Sequence, residues 1–244
     1  MLDTGMFTLG GKSSKDFGIV ITTPPPIVFA EREFESLRIP GKSGDITIDA
    51  GRYKNVTIPY ECAFVPKNGQ NLRDLATASQ VLLMPTSGYR RLEDSFKIDR
   101  YRMARVIGQL PVDSIVEKAG LFTVNFDSDP RAFLKSGETE ISFSRSGSIS
   151  NPTIFDALPL IKVTGSAAGT VSVNGTTVEI KSISGTMYLD CELENAYSLS
   201  AGAPKNENAN IYAPDFPVLS PGDNAVQFTG GITSVAITPR WWEL

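Results

Sequence analysis

The chain has 244 residues with no histidine, two cysteines and a formal net charge of −4 at pH 7. The absence of histidine excludes the usual general base, the Ser/His and Cys/His nucleophile pairs and imidazole ligands for metals. Two cysteines alone cannot form a structural zinc site, and a mildly acidic chain lacks the basic surface that wraps nucleic acid. We therefore expect a protein that is not an enzyme and that uses no cofactor or metal.

Hydropathy and cysteine usage give the expected compartment. No run of about eighteen apolar residues occurs, so we expect no membrane span. The first residues lack the basic and apolar regions of a signal peptide. Cys62 and Cys191 lie far apart in strand-like runs, which is typical of buried thiols in a reducing compartment. The sequence thus predicts synthesis in a cytoplasm.

The N-terminal part of the chain predicts short strands followed by an arm. Residues 6–9 and 16–21 are strand-like and are separated by the turn residues Gly10 and Gly11. Pro24, Pro25 and Pro26 then impose an extended path, because proline fixes φ and donates no backbone hydrogen bond. The charged residues 27–38 predict a strand with exposed side chains.

Residues 36–64 predict the scaffold of the N-terminal half. Residues 45–50 and 54–65 both alternate apolar and polar side chains, so we expect them to pair as one long antiparallel hairpin. The inward face of the second run consists of Val56, Ile58, Tyr60, Cys62 and Phe64. The predicted tip of the stretch consists of Pro40, Gly41, Lys42, Ser43 and Gly44.

One amphipathic helix is predicted after this stretch. Asn68 is the candidate N-cap, and Pro85 ends the helix. The apolar face comprises Leu72, Leu75, Ala76, Ser79, Leu82 and Leu83. A single amphipathic helix must cover a sheet, so we expect a β-sandwich with one helix.

The pattern changes near residue 134, where the strand-like run with Phe122, Val124 and Phe126 has ended and residues rich in Ser and Gly follow. We place one domain at residues 1–134 and a second at residues 135–244. The second domain has many short strands with frequent turns and no evident helix, a pattern typical of a β-sandwich. Its clearest turn is Asn174-Gly175, the pair favoured in type I′ hairpins.

Two carboxylates are the first candidate site of the second domain. Asp190 and Glu192 share one face of a strand, and paired carboxylates can hydrolyse glycosides. However, Leu189, Cys191 and Leu193 alternate with them as an expected inward face. The sequence therefore favours a solvated outer face for the carboxylates over catalysis.

Aromatic side chains are the second candidate site. Trp241 and Trp242 are adjacent, so on a strand one ring enters the core and the other covers a neighbour, a partner or a sugar ring. Tyr188, with Tyr197 and Tyr212, is a further candidate for a glycan or partner contact. The sequence favours packing or an inter-domain role for the tryptophans, and ordinary surface or edge positions for the tyrosines, over a carbohydrate contact.

Several motifs in order resemble the distal tail protein (Dit) family of siphophages and their prophages. The resemblance spans nearly the whole chain. Its motifs are Ser14-Lys15-Asp16-Phe17-Gly18-Ile19, Arg38-Ile39-Pro40-Gly41-Lys42-Ser43-Gly44-Asp45, Gly51-Arg52-Tyr53-Lys54-Asn55, Phe122-Thr123-Val124-Asn125-Phe126, Asn151-Pro152, Val173-Asn174-Gly175, Tyr188-Leu189-Asp190-Cys191-Glu192, Phe216-Pro217-Val218-Leu219, Pro221-Gly222-Asp223-Asn224 and Arg240-Trp241-Trp242-Glu243-Leu244.

This resemblance implies a structural virion protein at the tail tip. The N-terminal sandwich would form a hexameric ring, single or doubled, and the second sandwich would be galectin-like or similar to a carbohydrate-binding module. The implied partners are the tail tube protein and tail-associated or tail fibre proteins, with DNA only in transit. The proline arm and residues 40–44 are the candidates for contacts between subunits.

Two alternatives remain open at the level of sequence. A carbohydrate-binding module would use Tyr188 or Trp242 on the second sandwich. A receptor-binding protein at the tail tip would bind host cells directly. The sequence has no large insertion in its second half of the kind that longer family members use for such contacts.

Overall fold

A computed structural model of the protein describes residues 4–66, 70–84, 87–111, 113–115 and 119–244. The chain divides into two compact units. The first comprises Met1–Ala132 with Leu244, and the second comprises Phe133–Glu243. The expected fold class, mainly β with a single α-helix among the described residues, is confirmed.

The first unit contains the N-terminal strands and the helix. Its elements are β1 (Phe7–Leu9), β2 (Lys12–Ser13), β3 (Ile19–Ile21), β4 (Arg32–Leu37), β5 (Ile46–Tyr53), β6 (Val56–Phe64), α1 (Leu72–Leu83), β7 (Arg90–Asp94), β8 (Arg100–Ile107), β9 (Asp113–Ile115) and β10 (Ala119–Leu134), the last two residues of which belong to the second unit.

The main sheet of this unit curls back on itself. Its strand order is β2-β1-β7-β8-β10-β6-β3. A bridge from Gly5 to Ile21, with backbone N–H···O distances of 3.0 and 2.8 Å, joins the two ends. The predicted inward faces of β6 and β10 are buried, and Tyr60, Cys62 and Phe64 of β6 and Phe122, Val124 and Phe126 of β10 lie in the core that this closure creates. The rings of Phe7, Tyr60 and Phe126 pack there with centroids 5.0–6.0 Å apart.

The helix covers this core as its spacing predicts. Leu75, Leu82 and Leu83 are buried. The side chain of Asn71 accepts a hydrogen bond from the backbone N–H of Arg73 at 2.9 Å and is the N-cap. The predicted cap Asn68 and the terminating Pro85 lie outside the described residues.

The pairing predicted for residues 36–64 is wrong. β5 pairs with β4 in a separate two-stranded sheet, whereas β6 pairs with β3 and β10. Burial explains the difference. The five inward-facing side chains of β6 are all buried, whereas β5 contains no buried residue. The turn around Gly41 and Gly44 therefore connects β4 to β5.

The second unit is a strand-only sandwich apart from short 3-10 turns. Its remaining strands are β11 (Ile141–Phe143), β12 (Gly147–Asn151), β13 (Leu160–Val173), β14 (Thr176–Ile180), β15 (Gly185–Asp190), β16 (Asn195–Ser200), β17 (Ala203–Asn206), β18 (Ile211–Tyr212), β19 (Gly222–Thr238) and β20 (Trp242–Glu243). β20 pairs with β10, and the N–H of Leu134 donates to the carbonyl of Trp241 at 2.8 Å.

Two long strands connect the layers of this sandwich. The first part of β13 pairs with β15, and its last part pairs with β14. β19 pairs with β12 through its first half and with β11 through its second half. The register between β13 and β19 shifts around Gly165 and Gly169, so both strands bend there and pass from one layer to the other.

The hairpin predicted at Asn174-Gly175 is confirmed. Val173 pairs with Thr176, and the two turn residues have φ of 50° and 89°. None of the helices in the described part of the chain is long and apolar enough to cross a membrane.

Candidate assembly surfaces

The β4–β5 ribbon, residues 32–53, is a two-stranded sheet separate from the main sheet of the first unit. None of the residues in its two strands is buried. Phe34, Leu37 and Ile48 are 54%, 52% and 48% exposed. An isolated two-stranded hairpin is only marginally stable in water. A ribbon of this length is therefore expected to gain much of its order from a partner surface.

Polar pairs hold the ribbon together internally. The Nε of Arg32 donates to Asp49 at 2.8 Å, and Lys54 pairs with Glu31 at 3.2 Å. Arg52 pairs with Glu33, and this hydrogen bond lowers the pKa of the Glu33 carboxyl. Such exposed pairs contribute little to stability. They orient the side chains across the ribbon without providing a core.

The register places three apolar side chains on one face of the ribbon. Leu37 lies opposite Ile46, and Glu35 lies opposite Ile48. Residues directly opposite each other in an antiparallel pair share a face, so Leu37, Ile46 and Ile48 form an apolar strip. Phe34, Ser36 and Thr47 lie on the other face. The outer edges of β4 and β5 pair with no other strand in the described part of the chain.

The predicted tip residues Pro40, Gly41, Lys42, Ser43 and Gly44 lie between these two strands and are all exposed. Gly41 and Gly44 have φ of 83° and 84°, the left-handed conformation that glycine favours. Arg38 and Asp45 flank the tip as an ion pair at 3.7 Å. The structure thus places this candidate segment at the end of the ribbon, and its contact role stays a prediction.

The proline arm precedes the ribbon. Residues 24–31 form no regular strand or helix, as the three prolines predict. Pro24 and Pro26 are exposed, and Pro25 is half-buried. The arm also carries two large apolar side chains, Ile27 and Phe29, which are 73% and 84% exposed. Ile27 and Phe29 were not among the predicted contact residues, although the sequence shows these apolar side chains next to three prolines.

In the second unit, Tyr188 stacks on Tyr197 across β15 and β16. Their ring centroids lie 5.1 Å apart with planes 12° from parallel. The stacking therefore covers one face of each ring. Tyr212 pairs elsewhere, next to Glu179 on β14. Tyr188, Tyr197 and Tyr212 therefore do not form one continuous aromatic surface.

As expected for adjacent residues, one tryptophan is buried in the core and the other is only partly buried. Trp241 is buried in the core of the second unit. Trp242 stacks on Phe155 with ring centroids 4.4 Å apart, and its Nε1 donates to the carbonyl of Asp156 at 2.9 Å. Trp242 therefore packs within its own unit through both its ring and its N–H group.

The outward placement predicted for Asp190 is wrong. Asp190 is 6% exposed, and its carboxylate receives two hydrogen bonds from Arg240 at 2.7 and 2.9 Å. Burial opposes ionisation of Asp190, but the hydrogen bonds and charge of Arg240 outweigh it, so the pKa of Asp190 lies below its usual value. The arginine is 50 residues away in sequence and could not be paired with Asp190 by pattern alone.

Leu193 is also not where the alternation places it, because it is 70% exposed. β15 ends at Asp190, and the side chain of Asp190 accepts hydrogen bonds from the N–H groups of Glu192 and Leu193. The chain turns there, so the strand period no longer applies. Glu192 is exposed in this turn and lies 3.6 Å from Arg240.

Cys62 and Cys191 are both buried thiols. Burial raises the pKa of each to about 12. The thiolate is the reactive form of cysteine, so both side chains behave as small core residues. Among the described residues, no cluster of three His, Cys, Asp or Glu side chains could hold a metal ion.

Comparison with known proteins gives matches in structure. No protein-family model matches the chain, and no curated protein matches it in sequence. The crystal structure of the SPP1 Dit protein, described as a paradigm of the hub adsorption apparatus in phages infecting Gram-positive bacteria, aligns with a TM-score of 0.73 and 13% identity. The alignment covers 98% of this chain and 99% of that chain.

Two structures of the phage P2 baseplate in its activated conformation, with calcium and with strontium, also align. Their TM-scores are 0.47 and 0.45, both at 8% identity, and they cover 96% and 95% of this chain and 97% of each matched chain. The SPP1 alignment extends over both units. The resemblance to distal tail proteins is thereby confirmed in the fold.

Proposed function

We propose that this protein is a distal tail protein, the baseplate hub of a siphophage or prophage tail. It forms a hexameric ring that joins the tail tube to the tail-tip apparatus and lets DNA pass. The fold shared with SPP1 Dit over 98% of the chain is the observation that carries the proposal.

The exposed ribbon fits assembly into a ring. Unpaired strand edges and an apolar strip are surfaces that a neighbouring chain can complete. When the donor and acceptor surfaces differ, each copy binds the next, and the series closes into a cyclic oligomer if the rotation permits. The ribbon with its tip at residues 40–44, together with the arm at Pro24, Pro25 and Pro26, supplies the donor surface in this proposal.

The remaining features suit a hub. The net charge of −4 gives the chain no overall positive charge to retain a polyanion, which suits a ring through which DNA moves without binding to it. In this proposal residues 1–134 build the ring, and residues 135–244 form a peripheral galectin-like sandwich facing the tail-associated or tail fibre proteins. The protein then resides at the virion tail tip after synthesis in the host cytoplasm.

Substitutions on the two faces of the ribbon test this role. The double variant Leu37→Asp/Ile48→Asp puts charge on the apolar strip, and Ser36→Asp/Thr47→Asp is the matched control on the opposite face. We expect light scattering to show hexamers for the wild type and the control, and monomers for the apolar-face variant. Thermal unfolding should change little, because Leu37 and Ile48 are about half exposed.

Two results would count against the proposal. One is a wild-type protein that stays monomeric at high concentration. The other is an apolar-face variant that assembles as well as the wild type, since the ribbon would then not be a contact between copies.

A further inference from the structure

A pocket in the first unit lies between the proline arm and the main sheet. Ile58, Leu92 and Phe96 supply apolar lining, and the arm residues 25–28 also line it. Its volume is about 110 Å³, whereas an apolar cavity of about 150 Å³ accepts benzene and a water molecule occupies about 30 Å³ of the liquid. The pocket is therefore too small for an aromatic ring and has room for a group the size of a carboxylate.

Basic side chains outnumber acidic ones in this pocket. Lys97, Arg100 and Arg102 are basic, and Asp94 is the one acidic side chain among the described lining residues. The Asp94 carboxylate accepts hydrogen bonds from the Tyr60 hydroxyl at 2.9 Å and from two backbone N–H groups at 2.8 and 3.0 Å. The pocket therefore carries an excess of positive charge, and its own carboxylate is already engaged.

Two of the three cations have no carboxylate partner in the described part of the chain. Arg100 forms an ion pair with Asp99 at 3.0 Å. Lys97 and Arg102 form no ion pair with any described residue. Arg102 instead donates to the carbonyl of Pro130 at 2.6 Å, and burial lowers the pKa of its guanidinium. A partly buried cation without an anionic partner is unfavourable, so the pocket suits a carboxylate from outside the chain.

The ribbon carries one acidic side chain that is likewise unpaired. Glu35 is exposed and forms no ion pair with any described residue. It lies opposite Ile48 and so belongs to the face that carries the apolar strip. The other four acidic side chains of residues 31–53 each have a basic partner: Glu31 with Lys54, Glu33 with Arg52, Asp45 with Arg38 and Asp49 with Arg32. The ribbon thus presents a single free carboxylate among apolar side chains.

The ribbon and the pocket are complementary in charge and in apolar surface. Within one chain Glu35 pairs with neither Lys97 nor Arg102, so a pair between them needs a second copy. We propose that the pocket of one copy receives the Glu35 carboxylate of the neighbouring copy, where it pairs with Lys97 and Arg102. The proposal rests on the ring proposed above and names the acceptor for its donor ribbon. The contact is heterologous, since each copy gives one carboxylate and receives another.

Carbodiimide cross-linking tests this contact directly. The reagent joins a carboxylate to a neighbouring amine as an amide, and one carboxylate oxygen leaves with the carbodiimide as a urea. We expect a ladder of linked species up to six chains on a denaturing gel. Mass spectrometry on a mixture of isotopically light and heavy chains should find Glu35 of one joined to Lys97 of the other. The pair of Glu31 and Lys54 lies within one chain and adds no band to the ladder.

Lys97→Arg is the matched control for the cross-link, because a guanidinium keeps the charge but forms no amide with this reagent. The variant should assemble like the wild type and lose the ladder. A ladder that persists in it would come from other pairs and would count against the contact. A link from Glu35 to Lys97 found only within single chains would mean that the pocket takes the ribbon of its own copy. Assembled protein without this link would mean that Glu35 lies elsewhere.

Charge reversal gives a second, independent measurement. Glu35→Lys and Lys97→Glu should each raise the concentration for half-assembly on the order of tenfold, because like charges then meet at the pocket. The double variant should recover most of this loss, since opposite charges face each other again. The controls Glu179→Lys and Lys181→Glu make the same changes at exposed positions of the second unit and should leave this concentration unchanged.

Each other outcome of the charge reversal overturns the contact. Single variants that assemble like the wild type would show that the contact is wrong while the ring itself stands. A double variant no better than the single ones would show that the two side chains do not meet. If inorganic phosphate stabilises the wild type but not Lys97→Glu, while Glu35→Lys assembles normally, the pocket holds a free anion instead. If wild-type protein forms no ring, the proposed function fails and this contact fails with it.

Discussion

Glu207 shows how one carboxylate can connect several elements at the surface. Its side chain is 9% exposed and accepts hydrogen bonds from Ser198 at 2.7 Å, Lys205 at 2.9 Å and Asn210 at 2.5 Å. These three bonds, that of Lys205 foremost, lower the pKa of Glu207 from 4.5 to about 2. The carboxylate is covered by its own partners near the surface, and it connects β16, β17 and the short 3-10 turn at residues 208–210.

This geometry predicts acid sensitivity of the second unit. A carboxyl group with a lowered folded-state pKa stabilises the fold fully above its unfolded pKa and loses this contribution as the pH falls toward the folded pKa. We therefore expect wild type to be more stable than Glu207→Gln at pH 7, and the difference to shrink between pH 4.5 and about 2. Urea unfolding at several pH values measures it. A difference that stays constant with pH would contradict this role.

The burial of a side chain could be predicted from the sequence where the alternation within one strand determines it. The alternation from Val56 to Phe64 correctly gave the inward face of β6. Asp190 was misplaced because its burial depends on Arg240, which approaches from a distant part of the chain. The alternation of side chains along a strand follows from the geometry of that strand alone. The partner of an ion pair depends on how distant parts of the chain come together in the tertiary fold.

At the scale of elements, the bend in β13 and β19 depends on backbones that come unusually close. A Cβ added at Gly169 would lie 2.3 Å from the carbonyl oxygen of Thr229 and 2.8 Å from a side-chain carbon of Ile232. Backbone cannot move away as a flexible side chain can. Gly169 is thus required for the close approach of the strands where the two layers join.

Gly169→Ala should therefore destabilise the protein by about 1–3 kcal/mol, the usual range for overpacking. Gly88→Ala is the control, because a Cβ there meets nothing within 4 Å and Gly88 has no positive φ. We expect the control to stay within about 0.5 kcal/mol of wild type. Urea unfolding followed by circular dichroism compares them. Equal stability of the two variants would show that the bend tolerates a side chain.

Elements could be predicted to different extents for a physical reason. The helix and the Asn174-Gly175 hairpin follow from local rules of period and turn geometry. The partner of β5 was missed because an alternating pattern does not specify which strand it pairs with. The helix cap Asn71 was missed in favour of Asn68, since both asparagines precede the same periodic run.

At the scale of the whole molecule, the fold is similar to that of the SPP1 Dit protein, and the ribbon and arm are left exposed within one chain. The exposure of the ribbon and of the arm is explained if the chain functions only in an assembly, because neighbouring chains then contact both segments. A ribbon without buried residues and an aromatic ring at 84% exposure are unfavourable in an isolated monomer. Neighbouring copies would cover them.

Electron microscopy of the purified protein tests this central claim most directly. Negatively stained particles, averaged without imposed symmetry, are predicted to show six-fold rings with an open centre wide enough for duplex DNA. Two rings stacked on each other would also agree with the account. Uniform single-chain particles at high protein concentration, with no ring in assembled tails, would contradict it.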